Sequence, residues 1–309
     1  MPPSPSSVPA VLSAPPLQAL RPLDDHSLSC RSLSCQSLAY QTDLAVLAHQ
    51  GAMYGRRSGH LAVHTPGHPH FWWGNFLLLP ELGAGVPAGE WVARFAAEFP
   101  QARHCTLGLD TPEAPDPQQV AAFTALGFGL IRSSVLTAQR TVPHRRPPPS
   151  ALLPALELRP LHSGDDWHQA LNLQLALNAA GEARTANHLP FVTHGLGLLR
   201  RAQQRGAGAL WGAFVGRQLR ASLGIYRAGE HGGKPLARYQ NVGTHPDWRS
   251  RGLAGGLVHA AGEWARRELG AHTLVIVADP DHHAQALYER LGFSVHQDCW
   301  GLERPPDPA

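Results

Sequence analysis

The chain has 309 residues, 43% of them hydrophobic, enough for two domains of ordinary size. Its formal net charge of +3 is too mild to point to nucleic acid as a partner. No apolar run approaches the roughly 20 residues of a membrane helix, and the N-terminus has no basic stretch followed by an apolar core, so no membrane is expected and the cytoplasm is the expected compartment.

Residues 1–37 are rich in Pro, Ser and Leu without a period, and they are expected to be disordered. Cys30 and Cys35 lie in a Ser-rich repeat with no second ligand pair beside them, which argues against metal there. With Cys105 and Cys299 they do not suggest a disulfide framework in a cytosolic chain.

A first domain is expected over 38–138. Phe71-Trp72-Trp73 places three aromatics in a row, as strand packing or as the lining of a groove between domains. Residues 75–80 read as a strand, 91–99 as a helix and 104–110 as a second strand. The stretch from Val120 to Phe128 has helical character, and a strand follows over 130–138. Residues 139–153, with Arg145-Arg146-Pro147-Pro148-Pro149, read as an extended linker.

A second domain is expected over 154–304. A strand over 156–161 precedes a helix opened by Asp165-Asp166-Trp167. Residues 171–200 hold helices and a loop with polar candidates Glu182, Arg184, Asn187 and His188. Residues 210–215 and 219–226 read as a hairpin around Gly216-Arg217-Gln218. A strand over 237–244 then leads into Arg249-Ser250-Arg251-Gly252-Leu253-Ala254-Gly255. Leu253, Leu257, Ala261, Trp264 and Ala265 recur at helical spacing, and Gly270 stops that helix.

That turn is a phosphate cradle. The first amides of a helix have no intrahelical partner, and the helix dipole adds partial positive charge there. Gly252 allows φ > 0, Arg249 and Arg251 add charge, and no acid occupies the first turn, so a pyrophosphate is expected to bind. An apolar strand over 272–278 follows. Asp279-Pro280-Asp281 is expected to cap the next helix, with Ala284, Leu287, Tyr288 and Leu291 on its buried side. Gly292 ends it, and Phe293 begins the last strand. His282 and His283 are adjacent and make poor co-ligands for a metal.

Strand, Arg-x-x-Gly-x-Ala turn, helix and strand, followed by Ala-x-x-Leu-Tyr-x-x-x-Gly-Phe, resembles the GNAT superfamily of acyl-CoA-dependent N-acyltransferases. The resemblance covers about 155–304. It implies an α/β (α+β) fold of tandem GNAT-like domains, each with a mixed, mostly antiparallel sheet flanked by helices and splayed at the acyl-CoA site. It also implies that Val242, Gly243 and Thr244 pair with the pantetheine arm of acetyl-CoA, and that Arg249 to Gly255 hold the pyrophosphate. Asp281 stands where the family usually has an Asn touching that arm. Tyr288 would protonate the leaving thiolate. The strands over 237–244 and 274–278 carry no carboxylate, so His245 is the candidate base; Lys234, the only lysine, is not one.

The end of the first domain repeats this grammar, with Gly127-Phe128 aligned to Gly292-Phe293. Phe123 stands where Tyr288 stands, and Glu81-Leu82-Gly83-Ala84-Gly85 has no arginine, so a degenerate copy that does not bind CoA is expected. The implied function is acetyl transfer to a primary amine of a small molecule or peptide, without metal, by a monomer or homodimer. A non-catalytic acyl-CoA sensor or interaction protein is the alternative.

Overall fold

The computed structural model describes residues 20–24, 35–82, 85–144, 148–150, 152–179 and 188–306. The expectations for Cys30, Arg145, Arg146, Pro147, Glu182, Arg184 and Asn187 lie outside those residues, as does the side chain of His188. Within the segment expected to be disordered, two of the described residues, Leu23 and Ser37, are buried. The Leu23 amide donates to Ala52 O, while the amides of Gln36 and Ser37 donate to the Asp110 carboxylate. A single well-placed leucine and two amides anchor what composition alone would leave loose.

The first half runs β1 (Arg21–Pro22), α1 (Leu38–His49), β2 (Met53–Arg57), β3 (His60–His64), β4 (Phe76–Leu79), α2 (Ala88–Glu98), β5 (Cys105–Leu109), α3 (Pro117–Thr124) and β6 (Gly129–Ala138). The second half runs β7 (Leu156–Pro160), α4 (Gly164–Ala179), α5 (His188–Gln204), β8 (Gly208–Val215), β9 (Gln218–His231) and β10 (Lys234–Thr244). It continues with α6 (Leu253–Glu268), β11 (Thr273–Ala278), α7 (His283–Arg290) and β12 (Ser294–Arg304).

These strands form one mixed, mostly antiparallel sheet in the order β1-β2-β3-β4-β5-β12-β6-β11-β10-β9-β8-β7. Among the described residues only β4–β5 and β10–β11 pair in parallel. Each half closes its sheet with the other's final strand. β12 pairs with β5, β6 pairs with β11, and the two exchanged strands pair with each other along Gly129–Thr137 and Ser294–Glu303.

Alternation along the strands sorts side chains between two faces. Leu77 and Leu79 pack with Trp91, Phe95 and Phe123 under α2 and α3. Ala237, Tyr239, Leu274 and Ile276 pack with Leu257, Ala261 and Tyr288 under α6 and α7. The opposite face carries α1, which is buried around most of its circumference because it lies between layers. Leu44 and Leu47 join Phe76 of its own half, Leu38 and Ala45 join Leu236 and Val275 of the other, and Val46 meets Leu199 of α5.

Candidate active site

Strands β10 and β11 pair only from Leu236–Arg238 to Thr273–Val275. β11 then continues beside β6 as far as Ala278, opposite Ser134, while β10 continues beside β9. Beyond Arg238 the two parallel strands part, leaving the edge of β10 open on that side among the described residues. The cause is local. The register of β10 on β9 shifts between Gln240 and Gly243, and Asn241 within the shift has φ of 51°. Such a bulge bends and twists its strand. Asparagine tolerates the left-handed conformation, a signal present in the sequence that its pattern alone does not single out. Gly243 pairs with Ser222 beyond the shift, and its missing side chain makes room for Leu177 of α4.

The open edge runs into the expected cradle. The His245 amide still donates to Arg220 O at 2.9 Å, and Pro246–Trp248 form one 3-10 turn. Ser250 at φ 59° and Gly252 at φ 75° then reverse the backbone. α6 starts at Leu253 with no side chain capping it and no acid in its first turn, so its leading amides face outward without a side-chain acceptor. Arg249 and Arg251 are exposed, and among the described residues neither forms an ion pair. The Arg251 guanidinium lies 4.9 Å from the centre of the Trp248 ring, and Arg220 of β9 lies 4.6 Å from it. Arg220 therefore joins the cradle from a neighbouring strand. The linker after β6 returns along α6: Arg266 donates to Gln139 O, Thr141 Oγ1 lies 2.9 Å from His259 Nδ1, and the His144 ring fills the space beside Gly255.

Tyr288 is buried against Phe293, with ring centres 6.2 Å apart. Among the described residues nothing hydrogen-bonds to its hydroxyl. Burial pushes its pKa up to about 12, so the phenol stays protonated and can donate. His245 is half-buried, and its Nδ1 accepts the Asp247 amide at 3.3 Å, which makes it the cap of the 3-10 turn. Asp281 does not cap α7 as expected. Its amide donates to Asp279 Oδ1 at 2.9 Å, and the helix starts two residues later, after His282. The short Asp279–Pro280–Asp281 turn satisfies itself and shifts the helix start onward.

Residues 181–293 match the sequence model of the acetyltransferase (GNAT) family. This part of the chain is a GNAT acetyltransferase domain. It makes the protein an acyltransferase, and the splay, turn and Tyr288 lie in or just around the matched region. Three solved structures are similar over most of the chain. A functionally unknown conserved protein from Staphylococcus epidermidis is 13% identical with a TM-score of 0.60, over 82% of this chain and 93% of that one. A GCN5-related N-acetyltransferase from Kribbella flavida is 17% identical with a TM-score of 0.54, over 88% and 97%. A tandem GNAT protein from the clavulanic acid biosynthesis pathway is 15% identical with a TM-score of 0.53, over 93% and 97%. At these identities the likeness shows the fold, here a tandem GNAT fold. No curated protein matches in sequence.

The first half repeats the GNAT elements without the site. Phe123 meets Phe128 edge to face at 5.4 Å, as Tyr288 meets Phe293, but offers no hydroxyl. Gly127 and Gly292 share the left-handed conformation after the helix. There β4 and β5 stay paired to the end, where the Asp110 amide donates to Leu79 O at 2.7 Å. β3 and β4 pair without a register shift, so nothing turns β4 aside. α2 carries Glu90 in its first turn, the wrong sign for a phosphate.

Proposed function

We propose that the GNAT domain moves an acetyl group from acetyl-CoA to a primary amine by direct attack, with one acetyl-CoA bound per chain. The observation that carries this reading is the junction of an open strand edge with an uncapped helix start beside two arginines that form no ion pair among the described residues. The pantetheine arm would add as a strand along Val242, Gly243 and Thr244. The pyrophosphate would sit on the turn from Arg249 through Ser250, Arg251, Gly252, Leu253 and Ala254 to Gly255, held by backbone amides and two guanidiniums. Asp281, exposed before α7, would border the same arm.

The chemistry needs no metal and no covalent enzyme intermediate. The amine nitrogen forms a bond to the thioester carbon, and the C–S bond breaks. Tyr288 gives its proton to the departing sulfur. His245 is a candidate proton acceptor at the end of the open strand. The proposal includes a small-molecule or peptide acceptor, a cytoplasmic location and a monomeric or homodimeric state. Among the described residues no helix is long and apolar enough to cross a membrane.

Calorimetric titration with acetyl-CoA, followed by thiol release over a panel of amines, tests this. One site per chain with micromolar affinity and amine-dependent thiol release is the expected result. Binding without thiol release for every amine would favour the non-catalytic sensor. Absence of binding would overturn both readings.

A further inference from the structure

A cavity of about 190 Å³ lies on the sheet face opposite α6 and Tyr288. Tyr40 and Asp43 of α1, Trp73, Ile131 of β6, Val277 of β11 and Cys299 of β12 line it, so both halves of the chain build its wall. Two glycines shape that wall. A Cβ on Gly108 would come within 2.7 Å of the Tyr40 ring, and one on Gly301 within 2.5 Å of the Trp73 ring. The Tyr40 hydroxyl donates to Trp300 O at 2.6 Å, and the Trp73 indole donates to Glu303. These two bonds tie the polar ends of both rings.

Asp43 is the charged group of this wall. Its Oδ1 forms an ion pair with Arg238 at 3.0 Å and accepts from the Gln240 amide at 3.3 Å. Arg238 is the last residue of β10 paired with β11, and Gln240 is the last before the register shift. The carboxylate therefore sits over the point where the acyl-donor strands part. The Arg238 side chain is nearly sequestered at 7% exposure, held also by Thr42 Oγ1 and Tyr239 O, whereas Asp43 is 35% exposed. No hydrogen bond reaches Asp43 Oδ2 among the described residues. A carboxylate has acceptor capacity beyond the two partners seen here.

We propose that this cavity takes the acceptor, a small primary amine with an apolar or aromatic body, and that Asp43 of the degenerate half holds its ammonium and receives its proton. The proposal rests on the acetyl-transfer reading above. Val277 lies on β11 past the parting point, so an amine in the cavity faces the thioester from one side of the sheet while Tyr288 stands on the other. The ammonium gives one proton to Asp43, and its nitrogen forms the C–N bond as the C–S bond breaks. Tyr288 protonates the sulfur and regains a proton from the new amide nitrogen, and Asp43 returns its proton to water. A closed apolar cavity of about 150 Å³ binds benzene, so this one has space for a ring, and its wall offers a single carboxylate among apolar and aromatic groups, so the further ammonium groups of a polyamine would find no partner there. Burial raises the Asp43 pKa above its ordinary value of 3.8, against the lowering effect of Arg238, which makes it the better base.

The test compares phenethylamine, ethylamine and spermidine as acceptors with the full chain, Asp43→Asn and Ile131→Trp, reading thiol release and, separately, acetyl-CoA affinity. The wild-type protein should use phenethylamine at least about tenfold better than spermidine in kcat/KM. Asp43→Asn should lower kcat/KM for phenethylamine about 100-fold with acetyl-CoA affinity unchanged. Ile131→Trp, which narrows the cavity, should raise KM for phenethylamine more than for ethylamine; it decides the matter if Asp43→Asn fails to fold. Asp43→Asn within about threefold of wild type, or spermidine used as well as phenethylamine and indifferent to Ile131→Trp, would overturn the proposal while acetyl transfer stands. If no amine is acetylated, calorimetry of phenethylamine on the CoA-loaded protein replaces thiol release. Binding lost in Asp43→Asn supports the pocket, and no binding to the wild type overturns it.

Discussion

Gly301 of β12 stands directly opposite Gly108 of β5, so the seam between the two halves carries no side chain at that point on the face where Tyr40 and Trp73 lie. A methyl on either glycine would press on an aromatic ring from the backbone. Gly301→Ala and Gly108→Ala should each destabilise the protein by about 1–3 kcal/mol through overpacking. Denaturant melts of the two variants check this. A loss below about 0.5 kcal/mol would mean that the rings move aside freely.

The free Tyr288 hydroxyl makes a clean substitution possible. Tyr288→Phe removes one oxygen that no described residue hydrogen-bonds, so stability and acetyl-CoA affinity should hold. Turnover should fall by about 10²–10⁴-fold if the phenol is the general acid. Because burial keeps the phenol protonated to about pH 12, its ionisation should not set the alkaline limit of wild-type turnover. An alkaline limit that disappears in Tyr288→Phe would contradict that assignment.

Asp166 anchors the start of α4. Its carboxylate accepts from Arg159 at 2.7 and 3.1 Å and from the amides of His162 and Ser163, while Ser163 Oγ accepts the Asp166 amide. Arg159 and these amides hold its pKa well below the ordinary 3.8. Folding therefore favours the deprotonated form. The stabilisation is fully present above the unfolded value and is lost as pH falls below about 4 toward the lower folded value. Asp166→Asn should cost about 1–3 kcal/mol at neutral pH and flatten the acid limb of a stability–pH profile. An unchanged acid limb would place that sensitivity elsewhere.

Strand exchange gives a prediction about fragments. Residues 154–304 alone lack β6, which separates β11 from β12, and α1, which covers β9 and β10. That fragment should be unfolded or aggregated by circular dichroism and gel filtration, and residues 1–153 supplied in trans should rescue it. A folded, acetyl-CoA-binding fragment would show that β12 can close on β11 directly.

The turn and helix start around Gly252 were legible because they depend on short-range rules. A positive-φ glycine, an acid-free first turn and an apolar helical face are all written within a few residues of Gly252. The bulge was not: its left-handed residue is Asn241, and Gly243, the glycine of that strand, instead admits Leu177. Aromatic periodicity left Phe71, Trp72 and Trp73 open between packing and groove. The structure sends Trp72 to stack on His104 at 5.2 Å and Trp73 to the cavity. α1 escaped the pattern because it is apolar on nearly every side, so no amphipathic period marks it. Asp43 was invisible for a different reason. It lies 197 positions from Gln240, and no spacing rule reaches that far.

The exchanged strands also set a timetable. During synthesis β6 emerges long before β11 and β12, the two neighbours that flank it. Until they arrive, both edges of β6 and the far edge of β5 present unpaired backbone groups, the condition that invites pairing with the wrong partner. The nascent first half must therefore be held in an incomplete state, and the last strand to be made is the one that seals it. A chain that stops short of β12 is left with two open sheets instead of one finished half. Truncation before Ser294 should then be felt on both sides of the seam, as faster turnover of the whole polypeptide by the cell's proteases.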